Sequence, residues 1–175
     1  MQGTIRRKLE MGRGALAFGR GHPDRREGHA AALDRLAELL ARADRAAARQ
    51  ELGFVRERGA AARKQALQQT LAPLHLRHLA SVAHDAADPG LLAELGRTLH
   101  ALDAALVECE EARRLHVGAT AELMLAATAV VAEVAVLDGI VRVRFADDPG
   151  PLGEWERATG PRVASRTKAA AQPAA

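Results

Sequence analysis

The sequence predicts an all-α protein: a long antiparallel helical hairpin or bundle, with a short N-terminal and a short C-terminal helix packed at one end. Three observations predict it. Forty alanines stand against three phenylalanines, one tryptophan and no tyrosine, a composition that suits closely approaching helices and suits strands poorly. Leu92, Leu95, Leu99, Leu102, Leu106 and Cys109 recur at steps of three and four, and the register resumes at Leu123, Ala127, Val130, Val134 and Leu137. Such steps place side chains on one stripe, the seam of a coiled coil or long bundle, on a helix about 70 Å long. Finally, Asp88-Pro89-Gly90 is a turn tripeptide between two helical patterns.

Each element has its own signals. Thr4 can cap a first helix from about Ile5 to Phe18, with Ile5, Leu9 and Leu16 on one face and Gly19, Gly21 and Pro23 ending it. Asp24 opens a second, longer helix. Its seam is clear at Leu33, Leu36, Leu40 and Ala43, weaker at Leu52, Val55, Ala62 and Ala66, and ends with Leu67, Leu71, Leu74 and Val82. Gly53 and Gly59 each cost about 1 kcal/mol relative to alanine in a helix interior. Pro73 removes a hydrogen bond, so a kink is expected there and a weak point near Gly59.

Folding the chain at Asp88-Pro89-Gly90 predicts a register in which paired positions sum to about 178. Leu123 then faces Val55, Cys109 faces Gln69 and Leu137 faces Ala41. Residues 123–137 are apolar on most faces, so more than one neighbour must cover them. The first helix and the segment after Leu137 are the expected covers. Ile140 to Phe145 alternates as a strand would, but with no second strand to pair it is expected to extend the helix. Asp148-Pro149 starts a short helix that presents Leu152 and Trp155 to the core. One elongated helical domain over 1–158 and a disordered basic tail over 159–175 complete the reading.

Charge and cysteine usage narrow the class. The net charge is +3, with about +4 in residues 1–28, +3 in the last seventeen and a mildly acidic middle. A chain that wraps nucleic acid shows the reverse, a basic body, and no aromatic cluster is present for base stacking. Nucleic acid is therefore the lesser reading, limited to phosphate contacts from the basic first helix and tail. Lysine occurs only at Lys8, Lys64 and Lys168, an arginine bias expected of a GC-rich genome. The lone Cys109 reads as a small buried hydrophobe, and the lack of an intrachain disulfide fits a reducing compartment. No apolar leader with a cleavage site precedes the first helix, so a cytoplasmic location is expected. Residues 123–137 are too few to span a bilayer and include Glu133, so no membrane span is expected.

Three stretches carry a resemblance: Ile5-Arg6-Arg7-Lys8-Leu9-Glu10-Met11, Arg114-Leu115-His116-Val117-Gly118-Ala119, and Leu137-Asp138-Gly139 with Phe145-Ala146-Asp147-Asp148-Pro149. They resemble segments of uncharacterised all-helical proteins from GC-rich bacteria. The resemblance implies an all-helical fold and brings no activity and no catalytic residues.

Chemistry could reside in the seven histidines. In the register of 178, His78 falls opposite His100 and His75 opposite Asp103. Three imidazoles and a carboxylate so placed would suit a divalent metal such as zinc. The competing reading, half-exposed surface histidines, is preferred because a one-turn slip destroys the match. No cofactor is expected. A di-iron bundle needs Glu-x-x-His on two helices, and no glutamate has a histidine three residues on. Gly12-Arg13-Gly14 and Gly19-Arg20-Gly21 follow no strand and lack the Gly-Lys-Ser/Thr ending of a phosphate loop. Serine occurs only at Ser81 and Ser165, with no base to activate either.

Arg113, His116 and Thr120 interrupt the long seam where apolar residues belong. Polar groups in a seam fix register or oligomeric state, or line a recognition site; a seam facing solvent for two turns, or a helix break at Gly118, is the simpler and preferred alternative. Between about Gly59 and His116 two helices can bury only one stripe each. The expected function is therefore non-enzymatic: a structural or adaptor protein that forms a homodimer, or binds a partner protein, through Leu71, Leu74, Leu95, Leu99, Leu102 and Leu106.

Overall fold

A computed structural model of the chain describes residues 2–24, 26–84 and 88–160. Among the described residues there are four helices and no strand: α1 (Gln2–Gly21), α2 (Glu27–Ala83), α3 (Pro89–Arg144) and α4 (Pro149–Thr159). The two long helices pack heavily against each other, and the two short ones are N- and C-terminal. The strand-like alternation at Ile140–Phe145 does extend α3, which ends at Arg144. Contacts divide the chain into two compact units: Met1–Arg42 with Leu125–Ala175, and Ala43–Met124. Of the expected tail, Thr159 closes α4 and Gly160 caps it through its N–H to the Glu156 carbonyl; residues 161–175 lie outside the described residues.

In the first unit all four helices share a core of Leu9, Phe18, Leu36, Leu40, Val130, Leu137, Val141 and Trp155. The apolar run from 125 to 137 is covered on the face that carries Ala126, Ala127, Val130, Val134 and Leu137, while Leu125 and Val136 on its other face stay exposed. The glycines of α1 admit its neighbours. A Cβ at buried Gly12 would strike the Val130 side chain and lie 3.3 Å from Leu40 Cδ2, and one at Gly14 would strike the Ala158 carbonyl oxygen of α4. The eleven residues of α4 are too few to hold a helix alone. Asp148 caps it, accepting from the Gly150 N–H at 3.2 Å, and Trp155 docks it, 1% exposed. The indole ring meets Phe18 edge-on at 5.3 Å, while its Nε1–H donates to Asp138 Oδ1 at 2.7 Å.

The second unit is the two-helix region, and its seam is narrower than the leucine pattern suggests. The buried residues of α3 here are Leu91, Ala105, Ala112, Ala119 and Leu123, the first four falling on a seven-residue repeat through half-buried Thr98. On α2 they are Ala43, Ala46, Gly53, Ala60 and Leu74. Small residues at the point of contact let two backbones approach closely. The clearest case is Gly53, where a Cβ would lie 2.7 Å from the His116 backbone nitrogen and 2.9 Å from its Cα. α2 runs unbroken through Gly53, Gly59 and Pro73.

The register differs from the expectation. Arg63 pairs with Glu108, Arg49 with Glu122 and Arg77 with Glu94, and each pair adds to 171 rather than 178. That is a displacement of seven residues, about 10 Å along a helix. The cause is local. Asp88 Oδ1 accepts from the N–H groups of Gly90 at 2.8 Å and Leu91 at 3.3 Å, so Asp88 is an N-cap and Pro89 the first residue of α3. Pro89 and Gly90 therefore belong to α3, and α2 has already ended at Ala83. Leu123, Cys109 and Leu137 accordingly do not face Val55, Gln69 and Ala41.

Candidate functional site

The polar interruption of the α3 seam becomes a compact hydrogen-bonded layer in the second unit. Its third member, Gln50 of α2, was not singled out by the sequence. Gln50 Nε2 donates to Thr120 Oγ1 at 2.9 Å, and that hydroxyl donates to the His116 carbonyl at 2.8 Å. The His116 ring lies with Nδ1 3.2 Å from the Gln50 carbonyl. A carbonyl only accepts, so Nδ1 carries the proton in this contact. The layer closes on itself, and the Phe54 ring packs 5.9 Å from the imidazole. Arg113 is exposed and stands outside it. The Thr120 hydroxyl and His116 Nδ1 are thus both engaged in hydrogen bonds that join α2 to α3 or close a turn of α3. A polar residue on α2 between the small seam residues Ala46 and Gly53 was the signal for Gln50, but only in the register of 171 does it meet Thr120.

The histidine ladder is not assembled. In the observed register His78 falls opposite Ala93 and His75 opposite Gly96, two turns from His100 and Asp103. His75, His100 and Asp103 are exposed and His78 is half-buried. Among the described residues no group of three or more histidine, cysteine, aspartate or glutamate side chains could hold a metal ion.

The six leucines expected at an interface divide three ways. Leu74 is buried within the chain. Leu71, Leu95 and Leu102 are half-buried along the seam margin. Leu99 and Leu106 are 44% and 42% exposed, and Leu92, on the same seven-residue repeat, is 56% exposed. Cys109, expected to be buried, is half-buried. Residues 123–137 alone fall short of a bilayer span. α3, however, is long and apolar enough to cross a membrane by length and composition, with 39% of its most apolar eighteen-residue window buried.

A polar cluster in the first unit ties the α1–α2 connection to the end of α3. The Arg144 guanidinium donates to the carbonyls of His22 at 2.7 Å and Pro23 at 3.1 Å, stacks over Phe145 and faces Asp24 at 3.7 Å. The Arg26 backbone N–H, with the positive charge of Arg144 and Arg26, holds the Asp24 carboxyl below its ordinary range. His29, buried at the start of α2, has its basicity lowered chiefly by desolvation, against the opposing pull of Asp24. Burial would raise the Asp138 carboxyl, but hydrogen bonds from Arg142 and Trp155 outweigh it and the net direction is down.

These features define an all-α helical-hairpin protein with a hydrogen-bonded polar layer between its long helices and exposed apolar side chains along α3. No protein-family model, curated protein or solved structure matches the chain.

Proposed function

We propose that this is a non-enzymatic structural or adaptor protein that works by self-association, most simply as a symmetric dimer, through the apolar margin of its second unit. One observation carries the reading: Leu92, Leu99 and Leu106 stand exposed at seven-residue intervals on α3, beside half-buried Leu95 and Leu102. Covering each leucine contributes up to about 1.5–3 kcal/mol. A stripe with this repeat is the surface that a second helix packs against. A reducing cytoplasm suits the unpaired Cys109, and the resemblance to all-helical proteins of GC-rich bacteria accords with a role that needs no catalytic residues.

Sedimentation of the wild-type protein at tens of micromolar tests the reading. A dimer is expected, and Leu99→Glu with Leu106→Glu should shift it to monomer without loss of helix. A compact wild-type monomer would overturn it. Salt separates it from the nucleic-acid alternative: apolar association persists as salt rises, whereas phosphate contacts weaken steeply.

A further inference from the structure

A second apolar surface lies on the first unit, on the face of α3 turned away from the core. Leu125, Thr128, Ala132, Val136, Gly139 and Val143 are all exposed, and they succeed one another at steps of three, four, four, three and four. These steps keep them on one helical stripe. Leu125 is 67%, Val136 48% and Val143 74% exposed, and none of the six positions is charged. The ions bordering the stripe are neutralised in pairs, Arg35 with Glu133 at 3.0 Å and Arg142 with Asp138 at 2.8 Å.

The stripe is self-complementary. About a two-fold axis at Ala132, an antiparallel copy brings Leu125 over Gly139 and Val136 against Thr128, so each large side chain meets a small one and Ala132 meets itself. A Cβ at Gly139 would meet nothing within 4 Å. Beside that open space runs a mainly apolar groove lined by Gly28, His29, Val136, Gly139, Ile140, Val143 and the charged Arg26, which is paired with Asp24 at 3.9 Å. It is a seat for an incoming leucine.

We propose that this face docks a second copy of the chain, helix against antiparallel helix, with Leu125 of each copy entering the groove of the other. The inference shares with the function proposed above the premise of self-association, but places a separate isologous contact on the first unit. From Leu125 to Val143 the stripe is about 28 Å long, and at a helix width it presents roughly 300 Å², the scale of a large apolar patch on a single chain. That is below the ~800 Å² per partner of a standard interface. This contact is therefore weak alone, and its occupancy should rise with protein concentration. A lipid surface is the lesser occupant, because interfacial helices border their apolar face with excess lysine and arginine, not with neutral pairs.

The test is disulfide trapping in a Cys109→Ser background. Ala132→Cys puts two thiols beside the axis, so mild oxidation should convert it to a covalent dimer, and adding Leu125→Glu should abolish the product. Gln68→Cys, exposed on the second unit, is the control expected to stay monomeric. Trapping by Leu99→Cys but not by Ala132→Cys would overturn this inference and leave self-association through the second unit standing. No trapping at either position, with a monomer in sedimentation, would sink both. Co-sedimentation of a monomeric wild-type chain with phosphatidylglycerol vesicles, lost in Leu125→Glu, would assign the face to lipid and overturn the proposal.

Discussion

Gly53 of α2 lies against the backbone of His116 on α3, so closely that a Cβ at position 53 would sit 2.7 Å from the His116 nitrogen. The opposing atoms are main chain and cannot rotate aside. Alanine is favoured over glycine in a helix by about 1 kcal/mol, but overpacking a fitted contact costs about 1–3 kcal/mol. Gly53→Ala should therefore lower stability, while Gly59→Ala, whose Cβ would enter open space, should raise it by about 0.5–1 kcal/mol. Denaturant midpoints of the two variants check this. Equal stabilisation of both would mean the helices do not approach closely at Gly53.

Trp155 holds α4 to the first unit through its ring and its N–H. Trp155→Ala should cost about 3–5 kcal/mol, as large aromatic truncations in cores do. Trp155→Phe keeps most of the apolar contact with Phe18 and loses the bond to Asp138, which retains Arg142 at 2.8 Å. That loss should be nearer 1 kcal/mol. Thermal unfolding separates the two variants, and equal losses would place the weight on the hydrogen bond rather than on packing.

Helix existence, the cap at Asp148 and the burial of Trp155 were legible because each rests on local chemistry or on a long periodic pattern. The core at Leu123, Ala127, Val130, Val134 and Leu137 was legible too, and all five are buried. In the second unit the reading was half right. Leu95, Leu102 and Cys109 do border the seam, but its centre is at Leu91, Ala105 and Ala112, one residue from Leu92, Leu106 and Arg113. Leucine dominates a hydrophobic pattern, whereas alanine and glycine decide where two backbones can meet. The register failed for another reason: Asp88-Pro89-Gly90 reads equally as a turn and as the capped start of a helix. Two turns of displacement followed, and with them the histidine ladder dissolved. Gln50 was invisible as a partner of Thr120 for the same reason.

Buried His29 predicts a pH dependence. Its folded form holds a proton less tightly than the unfolded chain, whose histidine titrates near 6.5. Below that value the unfolded state binds more protons, so stability rises with pH there. The contribution is present in full above about pH 6.5 and is lost as pH falls toward the lowered folded value. Melting temperature should drop between pH 7 and pH 5, and His29→Gln should flatten that slope while lowering stability at pH 7. An unchanged slope would show that His29 is not the group responsible.

The layer of Gln50, His116 and Thr120 should set alignment as well as contribute stability. Thr120→Val keeps the shape but leaves the Gln50 amide without its acceptor, a loss of about 1–3 kcal/mol if the amide cannot reach water. Gln50→Leu alone leaves the Thr120 hydroxyl still bonded to the His116 carbonyl, so it should cost less. Because the two side chains touch, the double variant should cost less than the sum of the singles, with a coupling of about 0.5–3 kcal/mol. Alignment has a separate readout. Arg63 and Glu108 pair only when positions adding to 171 face each other, so cysteines introduced by Arg63→Cys and Glu108→Cys in a Cys109→Ser background report the register. The unmodified layer should give one intrachain crosslink from this pair. Adding Gln50→Leu with Thr120→Val should reduce that yield and allow crosslinks from pairs displaced by a heptad, such as Arg63→Cys with Leu115→Cys. A crosslinking pattern unchanged by loss of the layer would mean that the small-residue seam alone holds the register, and that Gln50 and Thr120 merely satisfy each other.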